Sequence, residues 1–247
     1  MTFQALYDIY IEDISHRLRK NTVDGKKNVF KNRILPYFKD KPINEIQAAD
    51  IRAWQNKQIA AGYSNAYLDR IMNMIVTIFN YAVTFYNLPV NPCTKAGHMG
   101  KRTRSLNFWT LDEYNAIMEH VTDPAAHVAI ELLFYSGMRF GELLALTLAD
   151  LDYNKQTISI TKSLQRKNRQ NYITAPKTDN GIRVITMPAA VMEHLEDYTR
   201  KLYGLQPDDL IFTFTRSLIR NNMKRACTAS GVSCIRIHDL STLMCRC

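Results

Sequence analysis

The sequence lacks the features that mark secreted and membrane-spanning proteins. Its longer apolar runs, such as residues 71–79, fall well short of the roughly 20 residues that a membrane span requires. The N-terminus carries acidic Asp8, Glu12 and Asp13 where a secretory signal would carry basic residues followed by an apolar stretch. We therefore expect a cytoplasmic protein that has no transmembrane helix.

Cysteine is also scarce, and its placement argues against a structural zinc site. The 5 cysteines do not form the paired CxxC clusters that bind zinc. Cys245 and Cys247 stand two residues apart, but no His or acidic residue lies beside them to complete a ligand set. These patterns predict a reduced compartment, no metal and no cofactor.

Positive charge, in contrast, is in excess. The chain has 32 Lys and Arg against 23 Asp and Glu, a net charge of +9. Residues 1–104 hold 16 Lys and Arg against 8 Asp and Glu, so nearly all of the excess lies in the N-terminal part. Such a surface favours a polyanionic partner, although charge alone does not distinguish it from an ordinary solvated face.

Helical periodicity dominates the first ninety residues. Apolar positions between Leu6 and Ile14 follow the spacing of one helix face, and Ser64 is a typical N-cap. Pro36 is expected to end a helix, and two prolines within residues 89–92 end the periodic pattern. We predict helices at residues 3–19, 23–35, 48–58 and from 65 onward, a helical domain at 1–92, and a basic linker at 93–105.

Residues 106–247 are expected to form a second domain of mixed structure. Thr110 and Glu113 make a capping-box pattern at a helix start. Further helices are predicted at residues 125–135, 141–146, 189–202 and 217–229. Alternating stretches rich in Ile and Thr predict strands at residues 157–163, 171–176 and 183–187, with residues 179–181 as the turn between the last two. The predicted fold class is therefore mainly α with a small antiparallel β-sheet.

Several stretches resemble the phage integrase family of tyrosine recombinases. Residues 34–43 (ILPYFKDKPI) and 78–83 (IFNYAV) are similar to its SAM-like helical core-binding domain. Residues 134–146 (FYSGMRFGELLAL), 176–178 (PKT) and 237–240 (IHDL) are similar to its α+β catalytic domain. Their order and spacing over about 235 residues carry the resemblance.

The resemblance implies a site-specific recombination reaction on double-stranded DNA. In this family a tyrosine hydroxyl attacks a phosphodiester, which forms a phosphotyrosine and frees a 5′-hydroxyl. Charge accumulates on the phosphoryl oxygens, so fixed cationic donors do most of the catalytic work, and no metal is required. The implied partner is a core-type attachment site, on which family members assemble as homo-oligomers.

Four residues match the catalytic motifs of the family. Arg139 corresponds to the arginine that holds a non-bridging phosphate oxygen, a task suited to its planar and permanently charged guanidinium. Glu142 corresponds to the acid that supports that arginine. Lys177 corresponds to the lysine that protonates the leaving 5′-oxygen, and His238 is expected to line the phosphate pocket.

Basic residues of the N-terminal domain are the candidates for contacts with the DNA backbone. Each of them is also compatible with an ordinary solvated surface, because position alone selects them. The candidates are Arg17, Arg19, Lys20, Lys26, Lys27, Lys31 and Arg70.

The sequence departs from the family pattern after Leu240. Ser241 follows where the family has a second phosphate-binding arginine, and residues 241–247 resemble nothing in the family. No tyrosine follows the His238 motif, so this chain has no candidate nucleophile. We expect a truncated catalytic domain that binds DNA without strand exchange. Met1 already stands near the start of the helical domain, so we expect no preceding arm-site domain.

Other functions stay open at this point. The chain is also compatible with an active recombinase whose catalytic tail comes from another subunit in trans. A DNA-binding regulatory protein and an inert remnant of a decayed mobile element are further alternatives. Covalent DNA complexes formed with a donor fragment would indicate the first of these, and low solubility without sequence preference would indicate the remnant.

Overall fold

The computed structural model of the chain describes residues 1–101, 107–167, 170–175 and 181–240. The chain divides into two compact units, Met1–Arg104 and Ser105–Cys247. Each unit has a hydrophobic core of its own. Predominantly helical structure with small antiparallel sheets confirms the predicted fold class.

The N-terminal unit is a bundle of helices around an aromatic-rich core. The rings of Phe38 and Phe79 both contact the ring of Phe3, with centroids within 5.7 Å of it. Trp54 is also buried, and its indole N–H donates to the Arg33 carbonyl at 2.7 Å. The helices are α1 (Phe3–Arg17), α2 (Lys20–Val29), a π-helical turn (Phe30–Ile34), α3 (Leu35–Phe38), α4 (Ala48–Ala60), α5 (Asn65–Phe85) and α6 (Pro92–Ala96).

Helix α5 shows how the sequence builds this bundle. The Ser64 hydroxyl accepts a hydrogen bond from the Tyr67 N–H and caps the helix start, as predicted. The predicted apolar stripe from Leu68 to Ala82 is buried along one face. Although α5 has 21 residues, no helix in the described ranges is both long and apolar enough to span a membrane.

The prediction that a helix ends at Pro36 was wrong. Helix α2 passes into the π-helical turn, and α3 then continues the helical path to Phe38. Pro36 lies in the first turn of α3, where the missing proline N–H would have no partner in the helix in any case. The offset of the π-helical turn therefore accommodates a proline that would break a continuous α-helix.

The segment expected to be a linker contributes in part to the N-terminal core. The Asn91 side chain caps α6 by accepting from the Cys93 N–H at 2.8 Å. Cys93, Ala96 and Met99 are each at most 4% exposed and pack into the core of the bundle. Cys93 and Ala96 are three residues apart within α6, and Met99 follows the end of that helix. Basic residues around them mask these apolar positions in the sequence.

The C-terminal unit packs helices against two small antiparallel sheets. Helix α8 lies at the centre of its core, where most of its residues are buried. The helices are α7 (Leu111–Met118), α8 (Pro124–Ser136), α9 (Phe140–Leu143), α10 (Ala189–Arg200), α11 (Arg216–Ser230) and α12 (Ile237–Leu240). The strands are β1 (Leu151–Asp152), β2 (Thr157–Ile160), β3 (Ser163–Lys167), β4 (Gln170–Thr174) and β5 (Arg183–Thr186).

Strand pairing differs from the predicted hairpin. β4 pairs with β3, whereas β5 pairs with β2 in the sheet of order β1-β2-β5. The stretch 157–163 that we predicted as one strand is interrupted after Ile160, and each part joins a different sheet. Among the described residues, β4 therefore has no pairing with β5. Most of the predicted turn at residues 179–181 lies outside the described residues.

Candidate active site

The loop that leads from α8 to α9 presents Arg139. Gly137 adopts the left-handed conformation at φ 63° and ends α8, as its position in the sequence predicts. The Ser136 hydroxyl accepts a hydrogen bond from the Met138 N–H at 3.1 Å, and the Met138 side chain is buried. The loop is thus anchored on both sides of Gly137, and Arg139 follows as the residue before α9.

Glu142 fixes Arg139 through both of its carboxylate oxygens. Its Oε2 accepts from the backbone N–H of Arg139 at 2.9 Å, and its Oε1 accepts from Nη1 of the same residue at 2.8 Å. The Glu142 side chain is 2% exposed, whereas 55% of the Arg139 side chain remains accessible. The guanidinium is therefore held from the protein side and still open to a ligand.

A second arginine, Arg183 of β5, shares the same carboxylate. Its Nη2 donates to Glu142 Oε2 at 2.9 Å, and its Nη1 donates to the Gly181 carbonyl at 3.1 Å. Sequence reasoning placed Arg183 on a strand but gave it no role in the site. One signal in the sequence could have identified Arg183: it is a cation at the start of a short strand that follows the predicted turn with Lys177.

The charge state of Glu142 follows from these contacts. Burial alone would raise the pKa of its carboxyl group, since desolvation penalises the charged form. Hydrogen bonds from Arg183 and from the backbone and side chain of Arg139 outweigh burial and lower the pKa below its ordinary value. Glu142 is therefore a carboxylate at neutral pH.

Helix α9 packs directly against β3, and this contact helps to position Glu142. A Cβ added to Gly141 would lie 2.7 Å from the Ser163 Oγ and 3.0 Å from the Leu164 carbonyl oxygen. A side chain at this position would require Ser163 to move and would press on the β3 backbone, whereas glycine permits the close approach. Because Glu142 is the next residue, the contact sets where its carboxylate lies.

His238 lies on the exposed side of α12. Its neighbours Ile237 and Leu240 are buried in the core, and α12 packs against α8. Asp239 accepts from Nε and Nη2 of Arg236 at 2.8 and 2.9 Å. Burial raises the pKa of Asp239, but the Arg236 hydrogen bonds exceed that effect and the pKa is lowered. This ion pair orients the short helix that carries His238.

Of two lysines near the sheets in sequence, Lys177 and Lys162, the structure describes only Lys162. Lys177, the predicted proton donor, lies outside the described residues. Lys162 is part of a buried polar cluster, in which its Nζ lies 2.8 Å from Asp150 Oδ2 and donates to the Thr147 hydroxyl at 3.0 Å. Lys162 therefore neutralises the buried Asp150, a structural task.

The N-terminal unit brings two of the predicted DNA-binding residues to one cavity. Lys26 and Arg70, from α2 and α5, line a cavity of about 480 Å³ together with Asp69 and Asn73. The Lys26 ammonium donates to the Tyr10 hydroxyl at 3.0 Å, which holds it at the cavity wall.

The other predicted DNA-binding residues do not line that cavity. Arg17 forms an ion pair with Asp13 at 3.1 Å on the surface, and Arg19 is the N-cap residue of α2. The remaining three predicted cations are exposed: Lys20, Lys27 and Lys31.

Two observations concern possible metal ligands and the Cys93 thiol in the described parts of the chain. These parts contain no group of three or more His, Cys, Asp or Glu residues that could hold a metal ion. Burial raises the pKa of the Cys93 thiol to about 12, so it is protonated at neutral pH.

Models of two domain families match the chain. Residues 2–59 match the phage integrase N-terminal SAM-like domain, and residues 107–245 match the phage integrase family. The second match includes Arg139, Glu142, Arg183 and His238. More than half of the chain is thus covered by the family to which the candidate site residues point.

Individual proteins show the same similarity. The ICEBs1 integrase of Bacillus subtilis (strain 168) is 24% identical, over 97% of this chain and 69% of its own length. The integrase of Mycobacterium phage D29 is 26% identical, over 90% of this chain and 62% of its own length. The chain therefore spans about six to seven tenths of these relatives.

A solved structure shares the fold. The Tn1549 transposon integrase in complex with circular intermediate DNA has a TM-score of 0.81 and 20% sequence identity, covering 99% of this chain and 86% of that one. The structural similarity confirms the fold predicted from the sequence motifs. Together with the family models, it shows that the chain belongs to the phage integrase family of tyrosine recombinases.

Proposed function

We propose that this chain binds double-stranded DNA and that Arg139 holds one of its backbone phosphates. The observation that carries this proposal is the buried Glu142 carboxylate, which fixes Arg139 while 55% of the arginine side chain stays exposed. A guanidinium held in this way is preorganised for the bidentate hydrogen bonds that a phosphate accepts. Structures of integrases with this fold have been solved in complex with DNA, which supports the proposed DNA binding.

The N-terminal unit supplies the second set of cations in this proposal. Lys26 and Arg70 line one cavity, and most of the net positive charge lies in residues 1–104. Phosphate contacts of this kind position a protein on DNA without reading its sequence. We therefore assign Lys26 and Arg70 to backbone contact, and leave the attachment sequence undefined.

The salt dependence of binding tests this proposal. A labelled random duplex of about 30 base pairs should bind with a strongly salt-dependent affinity, because each neutralised phosphate adds about −0.9 to the slope of log K against log salt. Replacing Lys26 and Arg70 together by Gln should make the slope shallower by about 1.8. Fluorescence anisotropy over a salt series measures both quantities.

A matched control is Lys39→Gln, which removes an exposed lysine of the same unit that neighbours Asp40 at 3.8 Å. We expect Lys39→Gln to leave the slope of the wild-type chain unchanged. A wild-type slope near zero would disprove DNA binding through phosphates. A steep slope that the double substitution does not alter would remove Lys26 and Arg70 from the interface.

We further propose that these 247 residues do not exchange DNA strands by themselves. Ser241 stands at the position of the family's second phosphate-binding arginine, and no tyrosine follows it in the sequence. One preorganised donor at such a site contributes roughly 3–4 kcal/mol to the transition state. The missing nucleophile removes the covalent pathway altogether.

Trapping experiments on nicked DNA test this second proposal. The chain should give no covalent complex that survives denaturing electrophoresis with a nicked duplex library of randomised core sequence. A covalent product with the chain alone would contradict the proposal. A product that forms only after addition of a fragment carrying the family's C-terminal tyrosine helix would show that the described site is competent when the nucleophile is supplied in trans.

A further inference from the structure

The cluster around Glu142 contains one more cation than the family pattern of Arg139 and Glu142 supplies. Glu142 Oε1 accepts from Arg139 Nη1, whereas Oε2 accepts both the Arg139 N–H and the Arg183 Nη2. The carboxylate thus holds two guanidinium groups that belong to elements far apart in the sequence, α9 and β5. The side chain of Arg183 is 30% exposed, against 55% for that of Arg139.

The net charge of the group formed by Arg139, Glu142 and Arg183 determines how well it attracts an anion. A pair of Arg139 and Glu142 is neutral as a unit, and its mutual attraction competes with any anion for the guanidinium. With Arg183 added, one carboxylate faces two guanidinium groups and the unit carries a net charge of +1. Arg183 also satisfies the buried carboxylate from the protein side, which leaves Arg139 free to divide its donors between Glu142 and a ligand.

We propose that Arg183 is a positioning residue. It acts through Glu142 to keep Arg139 in place and to leave some of the Arg139 donors free for a DNA phosphate. This inference rests on the proposed DNA binding and assigns Arg183 no phosphate contact of its own. Its second guanidinium contact supports that role, since Nη1 donates to the Gly181 carbonyl. Two of its donor groups are therefore already directed at protein acceptors.

A double-mutant cycle on the full chain separates positioning from direct contact. The variants are Arg139→Ala, Arg183→Ala and the double substitution, and the affinity for the labelled random duplex is measured at low salt. Each single substitution should weaken binding about 10-fold, the lower end of the effect of a charged hydrogen bond. The double variant should bind no more weakly than Arg139→Ala, because Arg183 acts only through Arg139.

Two further variants control for charge and for folding. Arg183→Lys keeps a cation beside Glu142 and should recover most of the lost affinity. Arg200→Ala removes an exposed arginine of the same unit that pairs with Glu196, and should change nothing. Carbon-13 NMR titration of labelled glutamate supplies an independent readout: the pKa of Glu142 should rise in Arg183→Ala and return toward its wild-type value in Arg183→Lys.

The possible results distinguish the inference from the function on which it rests. If the two single effects multiply to about 100-fold in the double variant, Arg183 contacts a phosphate independently and the positioning role is wrong. Unchanged affinity in Arg183→Ala, with a clear loss in Arg139→Ala, would also overturn the inference while leaving DNA binding intact. Unchanged affinity in Arg139→Ala would instead contradict the proposed function of the site.

Discussion

Replacing Gly100 by Ala is expected to destabilise the N-terminal unit by roughly 3 kcal/mol or more. Gly100 has φ +74°, a conformation that costs an L-residue about 1–2 kcal/mol. A Cβ there would also lie 2.5 Å from the backbone N of Asp69 and closer still to the carbonyl oxygen of Asn65. Both atoms belong to the start of α5, so relief requires backbone movement, and overpacking of this kind adds about 1–3 kcal/mol.

Gly62→Ala is the matched control for this prediction. Gly62 has the same φ of +74°, but a Cβ at this position would meet nothing within 4 Å. Its substitution should therefore show the conformational cost alone, about 1–2 kcal/mol. The difference between the two variants isolates the contact of Gly100 with α5.

Hydrogen exchange followed by mass spectrometry measures the two effects where they arise. Protection of α5 amides reports the opening free energy of the N-terminal unit, and peptides from α8 report the other unit in the same sample. We expect Gly100→Ala to lower protection in α5 and to leave α8 unchanged. Equal losses for Gly100→Ala and Gly62→Ala would contradict the close approach of residue 100 to α5.

Local signals in the sequence identify much of this fold because their partners lie a few residues away. Ser64 and Thr110 cap helices through N–H groups within three residues, and Gly137 and Gly231 end helices in the left-handed conformation. The buried stripe of α5 repeats with the helix period. Each of these features depends on backbone geometry that one short segment determines by itself.

The pairing of strands that are distant in the sequence could not be predicted. β5 pairs with β2 rather than with the strand that precedes it, because the β3–β4 pair forms a separate sheet between them in sequence. No local pattern records that choice of partner.

The same distinction applies to the candidate site. Arg139 and Glu142 are three residues apart and were identified by their motif, whereas Arg183 is 41 residues from the carboxylate that it shares. The motif predicts that His238 lines the phosphate pocket, and the structure places this residue exposed on α12. The sequence motifs thus supply the candidates Arg139, Glu142 and His238, and the structure adds Arg183 through its long-range contact with Glu142.

Glu142→Gln is expected to destabilise the C-terminal unit by roughly 2–3 kcal/mol at neutral pH. The substitution removes the charge that three hydrogen bonds from Arg139 and Arg183 satisfy, and directs an amide N–H group toward cationic donors. The cost stays below that of a fully buried broken ion pair because both arginines retain access to water. Hydrogen exchange of α8 amides measures it.

The pH dependence of that deficit identifies its cause. The pKa of Glu142 is lowered in the folded chain, so the carboxylate contributes stability that is fully present above its ordinary pKa of 4.5 and is lost as pH falls through the folded value. The wild type should therefore approach Glu142→Gln in stability below about pH 4.5. A deficit that stays constant from neutral to acidic pH would mean that side-chain packing, not charge, holds the cluster together.

Glu196→Gln is the matched control for the loss of stability in Glu142→Gln. Glu196 pairs with Arg200 at 2.6 Å on α10, where the side chains are 33% and 68% exposed. An exposed pair of this type contributes about 0.5 kcal/mol or less, so the control should lose little stability. The same chemical change thus has a large effect only where burial and two arginines make the carboxylate charge indispensable. A large deficit at Glu142 beside a small one at Glu196 would show that the buried charge of Glu142 holds Arg139 and Arg183 in place, as the proposed phosphate contact of Arg139 requires.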